Sequence, residues 1–164
     1  VLNTINIIPT SMERDVFPAL ANQKQLYCFP LKGFWMDVGQ PRDYLRGCAL
    51  YLSYLYTVQP ELLCNGIDSG ITGLVFMHKS CEYGDDCLIG PNVVIGENVK
   101  IGTGVRLSNC AILSGVVIDS YSWISNSIIG WNSRIGKWTR IENISVLGED
   151  VKIKDELYMN GTCV

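Results

Sequence analysis

Asp37 is the residue whose type and setting most call for chemistry. It stands inside the apolar run Phe34-Trp35-Met36-Asp37-Val38, where a carboxylate is costly unless it is hydrogen-bonded or meets a cation. It admits two readings. In one it holds a divalent metal, since hard cations such as Mg²⁺ take carboxylate oxygens and bridge them to substrate phosphates. In the other it accepts hydrogen bonds from the turn or helix start just after it, and spacing alone leaves both open. The single histidine, His78, is the other group suited to proton transfer, although a lone outward ring is more often simply solvent-facing. The seven cysteines, Cys28, Cys48, Cys64, Cys81, Cys87, Cys110 and Cys163, are odd in number and form no C-x-x-C pair. That disfavours a disulfide framework and a zinc site alike and fits a reducing cytosol. Cys81 and Cys87 read as small buried hydrophobes.

The elements that must position these groups are dominated by a repeat. From Ile71 an aliphatic residue returns about every six positions, at Met77, Tyr83, Ile89, Ile95, Ile101, Leu107, Leu113, Ile118, Ile124, Ile129, Ile135, Ile141, Leu147 and Ile153. Two repeats are one residue short, after Leu113 and after Ile124. Four residues past the beat comes a second small or β-branched residue, as at Val93, Val99, Val105, Ala111, Ser122, Ser133, Thr139, Ser145 and Val151. A period of six fits neither a helix nor plain strand alternation, but it fits a short strand and a turn repeated along a solenoid. One strand cannot bury its beat alone, so successive coils must stack with their aliphatics in ladders. If three hexads make one triangular coil, a number that the family resemblance given below implies and the period itself does not, the ladders are Ile71, Ile89, Leu107, Ile124, Ile141; Met77, Ile95, Leu113, Ile129, Leu147; and Tyr83, Ile101, Ile118, Ile135, Ile153, which makes about five coils. Asn109, Asn126 and Asn143 then fall in register at a turn, where asparagine tolerates positive φ.

The chain before the repeat has most of the prolines and no six-residue beat. Thr10, Ser11 and Glu13 read as a helix start with capping-box spacing from Thr10, with Val16, Phe17 and Leu20 as its buried face, and Pro18 keeps that helix short or kinks it. Leu26–Leu31 and Phe34–Val38 read as strands. Pro41 suits the first position of a helix to about Tyr56, with Tyr44, Leu45, Cys48, Leu52 and Leu55 on one face. The expected division is 1–58, a linker over 59–70 containing Pro60, Asn65, Gly66, Asp68 and Ser69, and a solenoid domain over 71–164.

Composition bounds the function. Of 164 residues, 48% are hydrophobic, enough for a buried core. The net charge of -3 argues against a nucleic-acid binder. No run reaches the roughly eighteen apolar residues of a membrane span, and no signal-peptide pattern is legible at Val1.

The segments P-T-S-M-E-R-D-V-F-P and G-F-W-M-D-V-G-Q-P-R-D-Y-L, followed by hexapeptides including S-I-I-G-W-N-S and S-V-L-G-E-D-V, resemble the C-terminal part of the mannose-1-phosphate guanylyltransferase (GDP-mannose pyrophosphorylase) family, on the side of its β-type catalytic subunits. The resemblance covers essentially the whole chain. It implies a mostly β fold: a left-handed parallel β-helix of hexapeptide repeats, preceded by the α/β C-terminal remnant of a nucleotidyltransferase (Rossmann-like) domain. It also implies GTP and mannose 1-phosphate as substrates, a cytoplasmic setting and, at Asp37, the W-x-D-x-G aspartate that helps bind catalytic Mg²⁺. The family's glycine-rich phosphate loop, partner metal aspartate and sugar-binding segment are absent here, and neither G-x-G-x-x-G nor G-x-x-x-x-G-K-[ST] replaces them. The expectation is therefore a fragment, inactive alone, that serves assembly or regulation. Two alternatives stand beside it. One is a non-catalytic regulatory or scaffold subunit. The other is an acyltransferase, since hexapeptide β-helices of that class use a histidine near a subunit boundary, here His78.

Residues just before each beat point outward. One such column reads Phe76, Val94, Ile112, Ile128, Val146, apolar in every coil, and an apolar stripe of this kind marks a covered surface. The cover is either the chain's own helix near Tyr44–Leu55 or a second subunit of a homo-oligomer.

Overall fold

The computed structural model describes Ile5 and residues 7–64 and 70–164, so the linker residues Asn65, Gly66, Asp68 and Ser69 lie outside the described residues. The chain divides into two units, Val1–Trp35 and Met36–Val164.

In the first unit a π-helical turn, Met12–Val16, leads into α1, Phe17–Asn22. The cap is Ser11 rather than Thr10. Its hydroxyl accepts the N–H of Arg14 at 3.2 Å, while its own N–H donates to the Asp15 carboxylate at 2.8 Å. Thr10 donates instead to the carbonyl of Ile8. Pro18 sits at the helix start, and α1 ends after six residues. Val16 is buried and Leu20 half-buried, but Phe17 is exposed. Leu26–Leu31 and Phe34–Val38 are irregular instead of strands. A strand takes its hydrogen bonds from a neighbour, and the first unit has no strand among its described residues to offer them.

The second unit begins with Met36–Val38, followed by α2, Pro41–Val58. Pro41 occupies the first turn, where its missing N–H costs nothing. Leu52 and Leu55 are buried and, with Leu63 just past a 3₁₀ turn at Pro60–Leu62, pack on Leu74, Phe76 and Val94. Burying each such side chain contributes roughly 1.5 to 3 kcal/mol, which seats α2 on the solenoid.

The solenoid has fifteen strands in three parallel five-stranded sheets, each sheet built from every third strand, hence three sides per coil and about five coils. One face holds β1 (Val75–Met77), β4 (Val93–Ile95), β7 (Cys110–Ile112), β10 (Ile128–Ile129) and β13 (Val146–Leu147). The second holds β2 (Glu82–Tyr83), β5 (Lys100–Ile101), β8 (Val117–Ile118), β11 (Arg134–Ile135) and β14 (Lys152–Ile153). The third holds β3 (Leu88–Ile89), β6 (Arg106–Ser108), β9 (Trp123–Ser125), β12 (Arg140–Glu142) and β15 (Tyr158–Asn160). The beat residues make one continuous core from Ile71 to Met159. Tyr83, in the first coil of its ladder, is 42% exposed. Glycine after the beat is required by close stacking: a Cβ on Gly102 would lie 2.6 Å from the Ser120 nitrogen of the next coil.

One ladder differs from its expected register. Ile112, not Leu113, pairs with Ile95 and Ile129 and is fully buried. The short repeat therefore runs from Leu107 to Ile112, Cys110 holds the second beat, and Ala111 takes the outward place assigned to Ile112. Two adjacent aliphatics gave periodicity no means to choose. The corner decides: Asn109 and Asn126 adopt positive φ of 46° and 45°, each two residues after one beat and three before the next.

Candidate functional site

Asp37 owes its setting to α2. A Cβ built on Gly47 of α2 would lie 3.7 Å from Val38 Cγ2 and 4.0 Å from Met36 Sδ, so Met36 and Val38 flank the helix at its glycine. Asp37, between them, is exposed. The desolvation cost read from its apolar neighbours is thus avoided, since the alternation turns the carboxylate out to water. Among the described residues no backbone or side-chain donor reaches it, and no group of three His, Cys, Asp or Glu side chains is placed to hold a metal. One free carboxylate can supply one ligand to a hard cation whose other ligands come from water and phosphate, but it does not make a metal site alone.

His78 follows β1 and is tied into the coil. Its Nδ1 lies 2.7 Å from Ser80 Oγ and its Nε2 3.9 Å from Glu97, while Ser80 Oγ also accepts the N–H of Asn98 at 2.8 Å. The ring thus braces a corner. Cys81 and Cys87 donate to the carbonyls of Gly96 and Gly102 at 2.9 and 3.1 Å. Burial pushes the Cys87 thiol up, and that of fully buried Cys110 up to about 12. Nucleophilic thiolate chemistry is therefore closed to both at neutral pH.

The apolar column is divided. Phe76 and Val94 lie beneath α2, Ile112 is in the core, and Ile128 and Val146 are half-buried farther along the same face.

Sequence reasoning missed a cleft of about 530 Å³ between the N-terminal half of α2 and the asparagine corner. It is lined by Arg42, Leu45, Arg46 and Ala49 on one side and by Asn109, Asn126, Asn143 and Ile144 on the other. Arginines at i and i+4 on α2 were the available signal, but what they face depends on how the helix seats. Two other arginines are engaged. Arg134 makes a bidentate pair with Asp119, and Arg140 lies 4.3 Å over the Trp123 ring while binding Glu142 at 2.9 Å.

Residues 71–164, the solenoid, match the family model described as the GMPPB C-terminal domain. The chain belongs to this family. Among curated relatives it is 54% identical over 98% of its length to a mannose-1-phosphate guanyltransferase of Schizosaccharomyces pombe, covering 44% of that protein. It is 50% identical, again over 98% of its length, to the mannose-1-phosphate guanylyltransferase catalytic subunit beta of Drosophila pseudoobscura pseudoobscura, covering 43% of it. A third relative, mannose-1-phosphate guanyltransferase beta-A of Xenopus laevis, is 46% identical over the whole chain, which covers 45% of it. The chain thus spans less than half the length of these relatives. Two solved acetyltransferases, the PglB domain of Neisseria gonorrhoeae and serine acetyltransferase isoform 3 of Entamoeba histolytica, align at 18% and 16% identity. They cover 55% and 74% of this chain and 53% and 48% of their own, with TM-scores of 0.20 and 0.31, a level that carries no argument. Within the GMPPB C-terminal domain family the matched span includes His78 and the asparagine corner. Asp37 and α2 lie before it.

Proposed function

We propose that the chain is the C-terminal portion of a guanylyltransferase that makes GDP-mannose and pyrophosphate from GTP and mannose 1-phosphate. The observation that supports this most is 46 to 54% identity, over 98 to 100% of the chain, to proteins named for that activity. In this reaction a phosphate oxygen of mannose 1-phosphate attacks the α-phosphorus of GTP, and the bond to the pyrophosphate leaving group breaks. Bound Mg²⁺ would neutralise charge on the phosphates. Asp37, exposed and unengaged, would give that ion one carboxylate oxygen. Residues 1–58 would belong to the nucleotidyltransferase domain, 59–70 to the connection and 71–164 to the β-helix, in a cytoplasmic enzyme. Among the described residues no helix is long and apolar enough to cross a membrane.

The 164-residue chain is expected to form no detectable GDP-mannose from GTP, mannose 1-phosphate and Mg²⁺, because it contains no glycine-rich phosphate loop. In a protein extended to the length of its relatives, Asp37→Ala is expected to lower turnover at least about tenfold and to leave the fold intact. Product formation by the 164-residue chain would overturn the first expectation, and unchanged kinetics at limiting Mg²⁺ the second.

The reading carries with it a homo-oligomer built through the solenoid, with Ile128 and Val146, the part of the apolar column beyond the Phe76 and Val94 seat of α2, as the contact. Replacing both by Glu is expected to reduce the mass in light scattering to that of a monomer. A folded variant of unchanged mass removes this contact.

A further inference from the structure

Two arginines with no partner among the described residues line an open cleft opposite a row of asparagines. Arg42 and Arg46 lie one turn apart on α2 and so project from one face, and both line the cleft. Neither guanidinium makes an ion pair or hydrogen bond among the described residues, although the chain as a whole is acidic, with net charge -3. No carboxylate is among the described residues that line the cleft. Opposite them the corner asparagines rise coil by coil. Asn109 Oδ1 takes a hydrogen bond from Asn92 at 3.0 Å, while among the described residues its amide N–H groups and the Asn126 side chain have no partner; Asn143 already donates to Asn160 at 2.8 Å. Between these donors the wall is apolar, formed by Leu45, Ala49 and Ile144.

Unpaired guanidiniums and amide N–H groups on exposed or half-buried residues that border one space suit an anion with several oxygens, because arginine binds phosphate in bidentate fashion. At 530 Å³ the space falls within the roughly 300 to 1,000 Å³ of small-molecule sites, and its apolar wall offers contact to more than an inorganic ion. We propose that this cleft binds the diphosphate of a nucleoside diphosphate or its ester, with Arg42 and Arg46 on the phosphate oxygens, Asn109 and Asn126 donating from the far side, and the nucleoside against Leu45 and Ile144. The inference rests on the cleft alone and stands whether or not the chain belongs to a transferase.

The test titrates the 164-residue chain with pyrophosphate, GDP and guanosine by calorimetry, at low and at physiological salt. Both phosphates are expected to bind, GDP the more tightly, with affinity falling as salt rises, and guanosine is expected not to bind. The variant Arg42→Gln/Arg46→Gln, which keeps good helix formers at both positions, should weaken both phosphates by at least about tenfold. Modification of the unaltered protein by phenylglyoxal gives a second readout: pyrophosphate should protect Arg42 and Arg46 and leave Arg14 reactive. Equal binding by the double variant, equal modification with and without pyrophosphate, or no binding of either phosphate at about 1 mM would overturn the proposal.

Discussion

The coils up to Val116 and those from Ser122 to Ser145 share one backbone but fill its inner corners differently. In the earlier coils Val93, Val99, Val105 and Val116 occupy the corner, each with no exposed surface. In the later ones Ser122, Ser127, Ser133, Thr139 and Ser145 take the same place and are at most 1% exposed. A buried hydroxyl without a partner is destabilising, yet among the described residues no buried side-chain polar atom lacks one. The reason is geometric. Ser122, Ser133 and Thr139 donate to the carbonyls of Gly136, Gly148 and Lys154 at 2.8, 2.9 and 3.1 Å, each in the neighbouring coil. Cys81 and Cys87 place their thiols on equivalent carbonyls in the earlier coils. Ser127 and Ser145 donate instead within their own coil, to the carbonyls of Ser125 and Glu142, both at 2.7 Å. The corner therefore accepts any small side chain, and a backbone carbonyl of the same or the neighbouring coil supplies the acceptor when that side chain is polar.

The largest break in this comparison should come from removing a hydroxyl that serves two coils. Ser133 Oγ donates to Gly148 and also accepts the N–H of Val151 at 3.0 Å. Ser133→Ala leaves both backbone groups short of a partner inside the solenoid and should cost about 1 to 3 kcal/mol. Urea unfolding measures it, read from the midpoint at an unchanged slope. A variant as stable as the parent would mean that the later coils are held by packing alone and that their hydroxyls contribute nothing net.

How much of this was legible in the sequence follows from what each feature depends on. All but one rung of the ladders from Ile89 to Ile153 could be written down because the six-residue period marks the inward residues and the family resemblance supplied three sides per coil, and Asn143, like Asn109 and Asn126, has the positive φ expected of a corner. Ile112 and Leu113 were misassigned because adjacent aliphatics satisfy the same beat, although the spacing from Asn126 to Ile129, carried back to Asn109, would have settled it. Leu26–Leu31 had strand composition, but composition supplies no pairing partner. Asp37 was read as strained by its apolar neighbours, yet alternation around Gly47 turns it outward. Arg42 and Arg46 were invisible as a pair of interest because what they face is fixed by where Leu52 and Leu55 seat α2, a contact between elements that are distant in sequence. Local pattern reached the coil, and tertiary placement determined the cleft.

The smallest effect tests the same comparison from the other side. Val105 sits at an earlier corner with no exposed surface, and Val105→Thr keeps its shape while exchanging a methyl for a hydroxyl. Buried in an apolar site with no acceptor, that hydroxyl should cost about 1 to 3 kcal/mol. Ser122, which also has a five-residue repeat between it and the next coil, reaches the carbonyl of Gly136 fourteen residues ahead; from position 105, with Ile101 paired to Ile118, the equivalent acceptor is the carbonyl of Asp119. That carbonyl can accept the new hydroxyl. The expected cost is therefore below about 1 kcal/mol, with the same unfolding slope as the parent. A loss above about 2 kcal/mol would show that the earlier corners admit only apolar side chains, making the two halves different in construction rather than in composition.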